Sequence, residues 1–181
     1  MAARIELWNG DICDLEVDAI VNPTSTTLWM STGVGGALKR RGGDSIEFAA
    51  VRQAPVPIGG AIVTPPGELA ARHIIHAVSI DVARRTSGPA IAAAVRSAMD
   101  RAREIEATSI AFPALGTGVG GFPLDEAALI TVTGVREALP SVPLLGHVIF
   151  ALRGAATYKA FQAAIAATEP RVASGASTSG T

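Results

Sequence analysis

Short apolar runs alternate with longer amphipathic stretches along this chain, and glycine- or proline-rich breaks separate them. Arg4 to Trp8 alternates polar and apolar positions, as a half-buried strand does. Ala19 to Val21, bounded by Asp18 and Asn22, is a continuous apolar run of buried-strand type. The strand signal recurs at Ala61 to Thr64, His73 to Val78, Ser109 to Phe112 and His147 to Leu152. Helical spacing marks Ala37 to Arg41, Ser45 to Gln53, Pro89 to Glu106, Leu124 to Leu139 and Thr157 to Thr168. In the Pro89 helix, Ile91, Val95, Ala98, Met99 and Ala102 share one stripe. Asp44 stands at an N-cap position, and Pro140 ends the Leu124 helix.

Apolar strands separated by helices predict an α/β fold, a three-layer α/β/α sandwich. Ala61 to Val78 holds two strands with no helix between them, which makes the central sheet mixed. A single domain is expected over residues 1–168, with the Ser/Gly/Thr-rich stretch 169–181 as a disordered tail.

Two of the breaks carry candidate chemistry. After the strand ending at Phe112 the chain reads Pro113-Ala-Leu-Gly-Thr-Gly-Val-Gly-Gly-Phe-Pro123, then enters a helix whose first turn has acids. Glycines give such a loop access to φ > 0 and leave its main chain uncovered. A strand, a glycine loop and a helix N-terminus converge backbone N–H groups on an anion. Thr32-Gly-Val-Gly-Gly-Ala-Leu38 repeats the arrangement after the Ala19 strand. Two such loops can face one diphosphate, so the pattern points to a phosphate-bearing ligand. A literal GxGxxG occurs at Gly116, Gly118 and Gly121, but the dinucleotide-binding fingerprint also needs an acid about 20 residues on. Glu137 falls inside a helix and the next strand ends without one, so that reading is set aside.

Charge narrows the picture further. With 15 basic and 16 acidic residues the chain lacks the basic excess of a nucleic-acid binder, and nucleic acid is not expected as a direct ligand. Its lysines are Lys39 and Lys159 alone, so anion binding must rest on the main chain. Cys13 is the single cysteine and the three histidines have no metal-ligand spacing, so no metal or cofactor is expected. No leader pattern and no apolar run of spanning length is visible, from which a soluble, cytoplasmic protein without membrane partners is expected.

The ordered set Gly10-Asp-Ile12, Asp18-Ala-Ile-Val-Asn22, Gly33-Val-Gly-Gly-Ala37, Ile75-His-Ala-Val78 and Ser109-Ile-Ala-Phe-Pro…Gly116-Thr-Gly-Val-Gly-Gly-Phe-Pro123 resembles the macro domain family from about Arg4 to Thr168. The resemblance implies an α/β/α module that binds ADP-ribose, free or on an ADP-ribosylated protein or nucleic acid. It implies that Asp11 accepts from the adenine amine, that Ile12 lies beside the base, and that Phe150 flanks it. Gly116, Thr117, Gly118, Val119 and Gly120 match the diphosphate loop, and Gly33, Val34 and Gly35 match the facing loop. Asn22, Ser25 and Thr32 complete the expected ligand set, Asn22 having a structural alternative as a backbone partner at the strand exit.

Departures from the family pattern bear on activity. Relatives of the deacylating type have a second asparagine where Ser25 stands and an aspartate where Gly35 stands. An aromatic over the distal ribose corresponds to Gly120. Another branch uses a lysine nucleophile, for which Lys39 is the candidate. No catalytic residue is assigned. The alternative to a binding module is a hydrolase of ADP-ribosyl or O-acyl-ADP-ribose derivatives in which a ligand phosphate orients the attacking water.

Overall fold

The computed structural model describes residues 3–169; the expected tail falls, from residue 170 on, outside the described residues. Six strands form one sheet: β1 (Arg4–Asn9), β2 (Ala19–Ser25), β3 (Ala61–Thr64), β4 (His73–Ile80), β5 (Ser109–Phe112) and β6 (His147–Leu152). Five α-helices join them: α1 (Gly33–Gly42), α2 (Ser45–Val51), α3 (Gly88–Glu104), α4 (Leu124–Ala138) and α5 (Ala155–Thr168). The strand order is β1-β6-β5-β2-β4-β3. Every neighbouring pair is parallel except β3 with β4, so the sheet is mixed as the helix-free Ala61–Val78 stretch requires.

Alternation along each strand sorts side chains to two faces. Val148, Phe150 and Leu152 of β6 join Ile110 and Phe112 of β5 against α3, α4 and α5. Ile149, Ala151, Ala111 and Ile20 face the other way, against Met30 and Leu38 of the α1 side. Both faces are therefore covered, which is why the strands read as unbroken apolar runs. A smaller cluster of Leu28, Ala50, Val56 and Val78 seats α2 at the β3–β4 edge.

Three boundaries differ from the sequence reading. β2 continues through Pro23 and Thr24 to Ser25, with an irregularity opposite β4 between Thr24 and Ser25. α1 begins at Gly33, four residues before the apolar signal, so its glycines lie inside the first turn. Close packing explains them: a Cβ on Gly35 would stand 3.2 Å from Asn22 Oδ1, and one on Gly36 3.1 Å from the Ser31 carbonyl. Asp44 is helical and makes no capping bond; its carboxylate instead lies 3.7 Å from Lys39 Nζ. Ser87 does cap α3, accepting from the Ala90 amide at 3.2 Å.

Candidate functional site

In a parallel sheet the strand carboxyl ends and the loops that leave them share one edge. Here that edge carries a cleft of about 770 Å³. It runs from Asp11, Ile12 and Arg153 beside β1 and β6 to Ser25, Thr27, Ser79 and Ile80 at the ends of β2 and β4. Three inter-strand steps of ~4.8 Å separate β6 from β4, so the cleft is about 14 Å long.

The glycine loops form its walls. Gly33, Val34 and Gly35 line one side, and Gly116 through Gly120 line the other. Among the described residues, no main-chain carbonyl accepts from the amides of Gly33, Val34 or Gly35, or from those of Gly116 to Gly120. The second loop is closed by the next two amides instead: Gly121 donates to the Gly118 carbonyl at 3.1 Å and Phe122 to the Gly116 carbonyl at 2.9 Å. Gly33 (φ +59°) and Gly116 (φ +76°) hold backbone conformations that other residues adopt only with strain. A Cβ on Gly33 or Gly118 would meet nothing within 4 Å, so both loops border open space.

At the β1–β6 end, Asp11 caps the 3₁₀ turn Ile12–Asp14 by accepting from the Cys13 amide at 3.0 Å. Its second oxygen accepts from the Arg153 guanidinium, and Arg41 stands 3.9 Å away. Partial burial alone would raise the carboxyl's pKa. The Cys13 hydrogen bonds and the two guanidiniums outweigh it and hold the group below the usual aspartate value. Cys13 is buried, and burial beside that carboxylate pushes its thiol up to about 12, an inert group at neutral pH. Ile12 is largely buried yet still reaches the cleft wall.

The β2–β4 end is floored by neutral hydroxyls. Ser25 and Thr27 bond each other at 3.0 Å. Thr24 and Ser79 also line the cleft, are buried, and have hydroxyls without a hydrogen-bond partner. An unpartnered buried hydroxyl costs ~1–3 kcal/mol, so a pair of them at a cleft floor favours a polar occupant. Thr32, exposed and extended, also lines the cleft and makes no cap bond.

Two expected residues lie elsewhere. Phe150 is fully buried in a stack with Phe112 (centroids 6.1 Å) and Phe161 (5.2 Å) on the α3–α5 face, because strand parity places it with Val148 and Leu152. It does not line the cleft; Ala151, Leu152 and Arg153 do. Asn22 is also fully buried beneath the cleft. Its Nδ2 donates to His76 Nδ1 at 3.0 Å, and His76 Nε2 lies 2.8 Å from Thr64 Oγ1. The backbone bond expected at the strand exit is not made by this side chain, and its Oδ1 has no hydrogen-bond partner among the described residues. Burial holds His76 neutral, down to about 4, which fits a ring that accepts at Nδ1 and donates at Nε2.

Lys39 is equally occupied. Its ammonium donates to the buried Glu47 carboxylate at 2.7 Å, and the other Glu47 oxygen accepts from the Met30 amide at 2.7 Å. That hydrogen bond to Glu47 raises the lysine's pKa and removes it as a nucleophile. Gly120 has no room for the family aromatic, since a Cβ there would come within 2.8 Å of both the Gly116 carbonyl and the Thr86 methyl. The segment after β4 fills that wall instead. Among the described residues no cluster of three or more His, Cys, Asp or Glu could hold a metal, and no helix is long and apolar enough to cross a membrane.

Sequence reasoning missed Arg153, Thr24, Ser79 and Trp29. Arg153 had one available signal: it directly follows the last residue of a strand whose carboxyl end had to open onto the loops.

Comparison with known proteins agrees with this architecture. The macro domain model matches residues 21–131, more than half of the chain. A macro domain-containing protein of Xanthomonas axonopodis pv. citri is 35% identical over 178 residues, covering 94% of this chain and 99% of that protein. An uncharacterized protein of Mycobacterium tuberculosis is 41% identical over 166 residues, covering 92% of this chain but 46% of its own length. The chain thus spans under half the length of the mycobacterial relatives it matches. Among solved structures, the Trypanosoma brucei macrodomain in complex with ADP-ribose superposes with a TM-score of 0.83 at 28% identity, covering 89% of this chain and 68% of that one. An Oceanobacillus iheyensis macrodomain mutant with ADPR gives 0.82 at 27% identity, covering 90% and 92%. The chain belongs to the macro domain family.

Proposed function

We propose that this domain binds ADP-ribose, free or as an ADP-ribosyl adduct, in the cleft at the sheet's carboxyl edge. The observation that carries this reading is the pair of glycine loops whose unoccupied amides line one cleft from both sides. The diphosphate sits between them, held by main-chain donors and by the N-terminus of α1. The adenine lies toward β1 and β6, with its amine donating to Asp11, a carboxylate kept ionised and acceptor-only. Ile12 packs beside the ring and Arg153 covers the carboxylate from outside. Toward β2 and β4, the hydroxyls of Thr24, Ser25, Thr27 and Ser79 take the ribose contacts that a carboxamide makes in deacylating relatives.

Binding is favoured over turnover by the chemistry of that end. Asp81 is the carboxylate lining it, and both its oxygens are engaged by Arg85, one with the amide and one with Nε, each at 2.9 Å. Those bonds, led by the Arg85 amide, keep its pKa below the ordinary value, unsuited to a general base. Lys39 is held by Glu47, and position 35 has no side chain. A substrate-assisted hydrolysis needs none of these groups and is the second outcome a turnover assay would detect.

Calorimetry with ADP-ribose and with AMP tests the proposal. Micromolar binding of ADP-ribose, on the order of −8 kcal/mol, and at least tenfold weaker AMP are expected. Equal affinities would remove the loops from the account.

A further inference from the structure

Three consecutive cations, Lys39, Arg40 and Arg41, lie in the last turn of α1, and they are not used alike. Lys39 meets Glu47 at 2.7 Å and Asp44 at 3.7 Å. Arg41 meets Asp14 at 2.7 Å and Asp11 at 3.9 Å. Arg40, between them, lines the cleft and meets no carboxylate among the described residues.

Side chains of a helix lean toward its N-terminus, and residues four apart share a face. Arg40 runs back along α1 to Gly36, which has no side chain to stop it. A Cβ on Gly36 would stand 3.3 Å from Arg40 Nη1. The guanidinium therefore lies at the level of the first turn of the helix, about one turn ahead of its own Cα.

That turn is a poor place for a cation unless an anion joins it. The amides of Gly33, Val34 and Gly35 have no main-chain acceptor among the described residues, Thr32 makes no cap bond, and the turn holds no acid. The helix dipole adds positive charge at the same end. The carboxylates that line the cleft do not balance it, since Asp11 is taken by Arg153 and Asp81 by Arg85. The cleft is also short of a polar occupant on separate grounds, because the buried hydroxyls of Thr24 and Ser79 go unpartnered.

We propose that Arg40 is a direct ligand of the diphosphate, meeting it from the α1 wall beside the Gly33–Gly35 amides. The proposal rests on ADP-ribose occupying the cleft. A guanidinium matches phosphate oxygens with paired N–H donors and brings the full charge that amides lack. The scarcity of lysine then does not leave the anion to the main chain alone. Of the three adjacent cations, the outer two brace the fold and the middle one serves the ligand.

The test is calorimetry on the full chain with ADP-ribose and with ADP, at low and at high salt. Arg40→Ala should weaken both ligands about tenfold at low salt, and less at high salt. Arg40→Lys, which keeps the charge but not the fork, should recover part of the loss. Arg84→Ala controls for the general field of the cleft, because Arg84 also lines it without meeting a carboxylate, from the turn after β4. That variant should cost no more than about twofold. Without ligand, Arg40→Ala should melt at the temperature of the native chain, since the guanidinium it removes is unpaired. Unchanged affinity, a loss confined to ADP-ribose, or an equal loss in Arg84→Ala would overturn the assignment. So would a melting temperature that falls along with the affinity, the mark of a structural role. If ADP-ribose does not bind the native chain, the cleft reading falls first and this one with it.

Discussion

The two ends of the cleft are built from opposite materials. At the β1–β6 end a carboxylate is enclosed by guanidiniums: Asp11 meets Arg153 and Arg41, and Arg41 also meets Asp14 at 2.7 Å. At the β2–β4 end the floor is uncharged hydroxyl, resting on the buried Asn22–His76–Thr64 chain. In the proposed reading, a fixed charge with fixed partners selects one donor pattern, an exocyclic amine. A hydroxyl floor with an open rim accepts a ribose without dictating what it carries. If the cleft takes ADP-ribose as proposed, the contrast separates recognition of the adenine half from tolerance toward the distal half.

The largest expected effect lies between the ends, where both depend on the same amides. Gly118→Glu places a carboxylate in space that a Cβ enters freely, so stability should change little while ADP-ribose affinity falls at least 100-fold by calorimetry. Unchanged affinity would show that the second loop is not used. Asp11→Asn keeps an acceptor for the Cys13 amide and removes the charge. About a tenfold loss is expected for ADP-ribose and less for its inosine analogue, so adenine preference should shrink. Equal losses for both would move the base away from Asp11.

Acid should separate the ends. Unfolded chains protonate a histidine near 6.5, whereas His76 in the fold does so only at about 4. Between those values the unfolded chain binds more protons, so stability rises with pH. It is intact above about 6.5, is eroded as pH falls toward 4, and is weakened by up to about 3 kcal/mol once both states are protonated. Asp11, with its pKa held low, stays ionised throughout that window. Thermal melts of the native chain and of a His76→Gln variant should therefore diverge at pH 7 and converge toward pH 4. Parallel curves would contradict a buried neutral imidazole.

The smallest effect is expected at Arg153, which is two-thirds exposed. Arg153→Ala should change ADP-ribose affinity by no more than ~1 kcal/mol and reduce its salt dependence. A larger loss would make Arg153 a direct ligand contact rather than a cover on Asp11.

Much of this arrangement was legible in the residues, and the gaps have physical causes. Strand runs, the mixed sheet and the Gly116–Gly121 loop follow from local pattern, because each element's period and punctuation are local properties. Phe150 was misplaced because a strand buried on both faces shows no polar side, so parity groups it with Val148 and Leu152 without telling which face they take. Nothing local reveals that His76, 54 residues away, accepts from the Asn22 amide. The α1 glycines read as loop because their low helix propensity hides a demand for close approach to β2. Leu28, Trp29 and Met30 are all apolar, so no local signal marks Trp29 as the exposed one of the three.

The most direct test of the central claim is an amide-resolved NMR titration with ADP-ribose. If main-chain donors from both loops grip the diphosphate, the amides of Gly33, Val34 and Gly35 and those of Gly116 to Gly120 should shift together, with one common dissociation constant. Shifts confined to one loop, or absent from both while Asp11 and its neighbours respond, would contradict it.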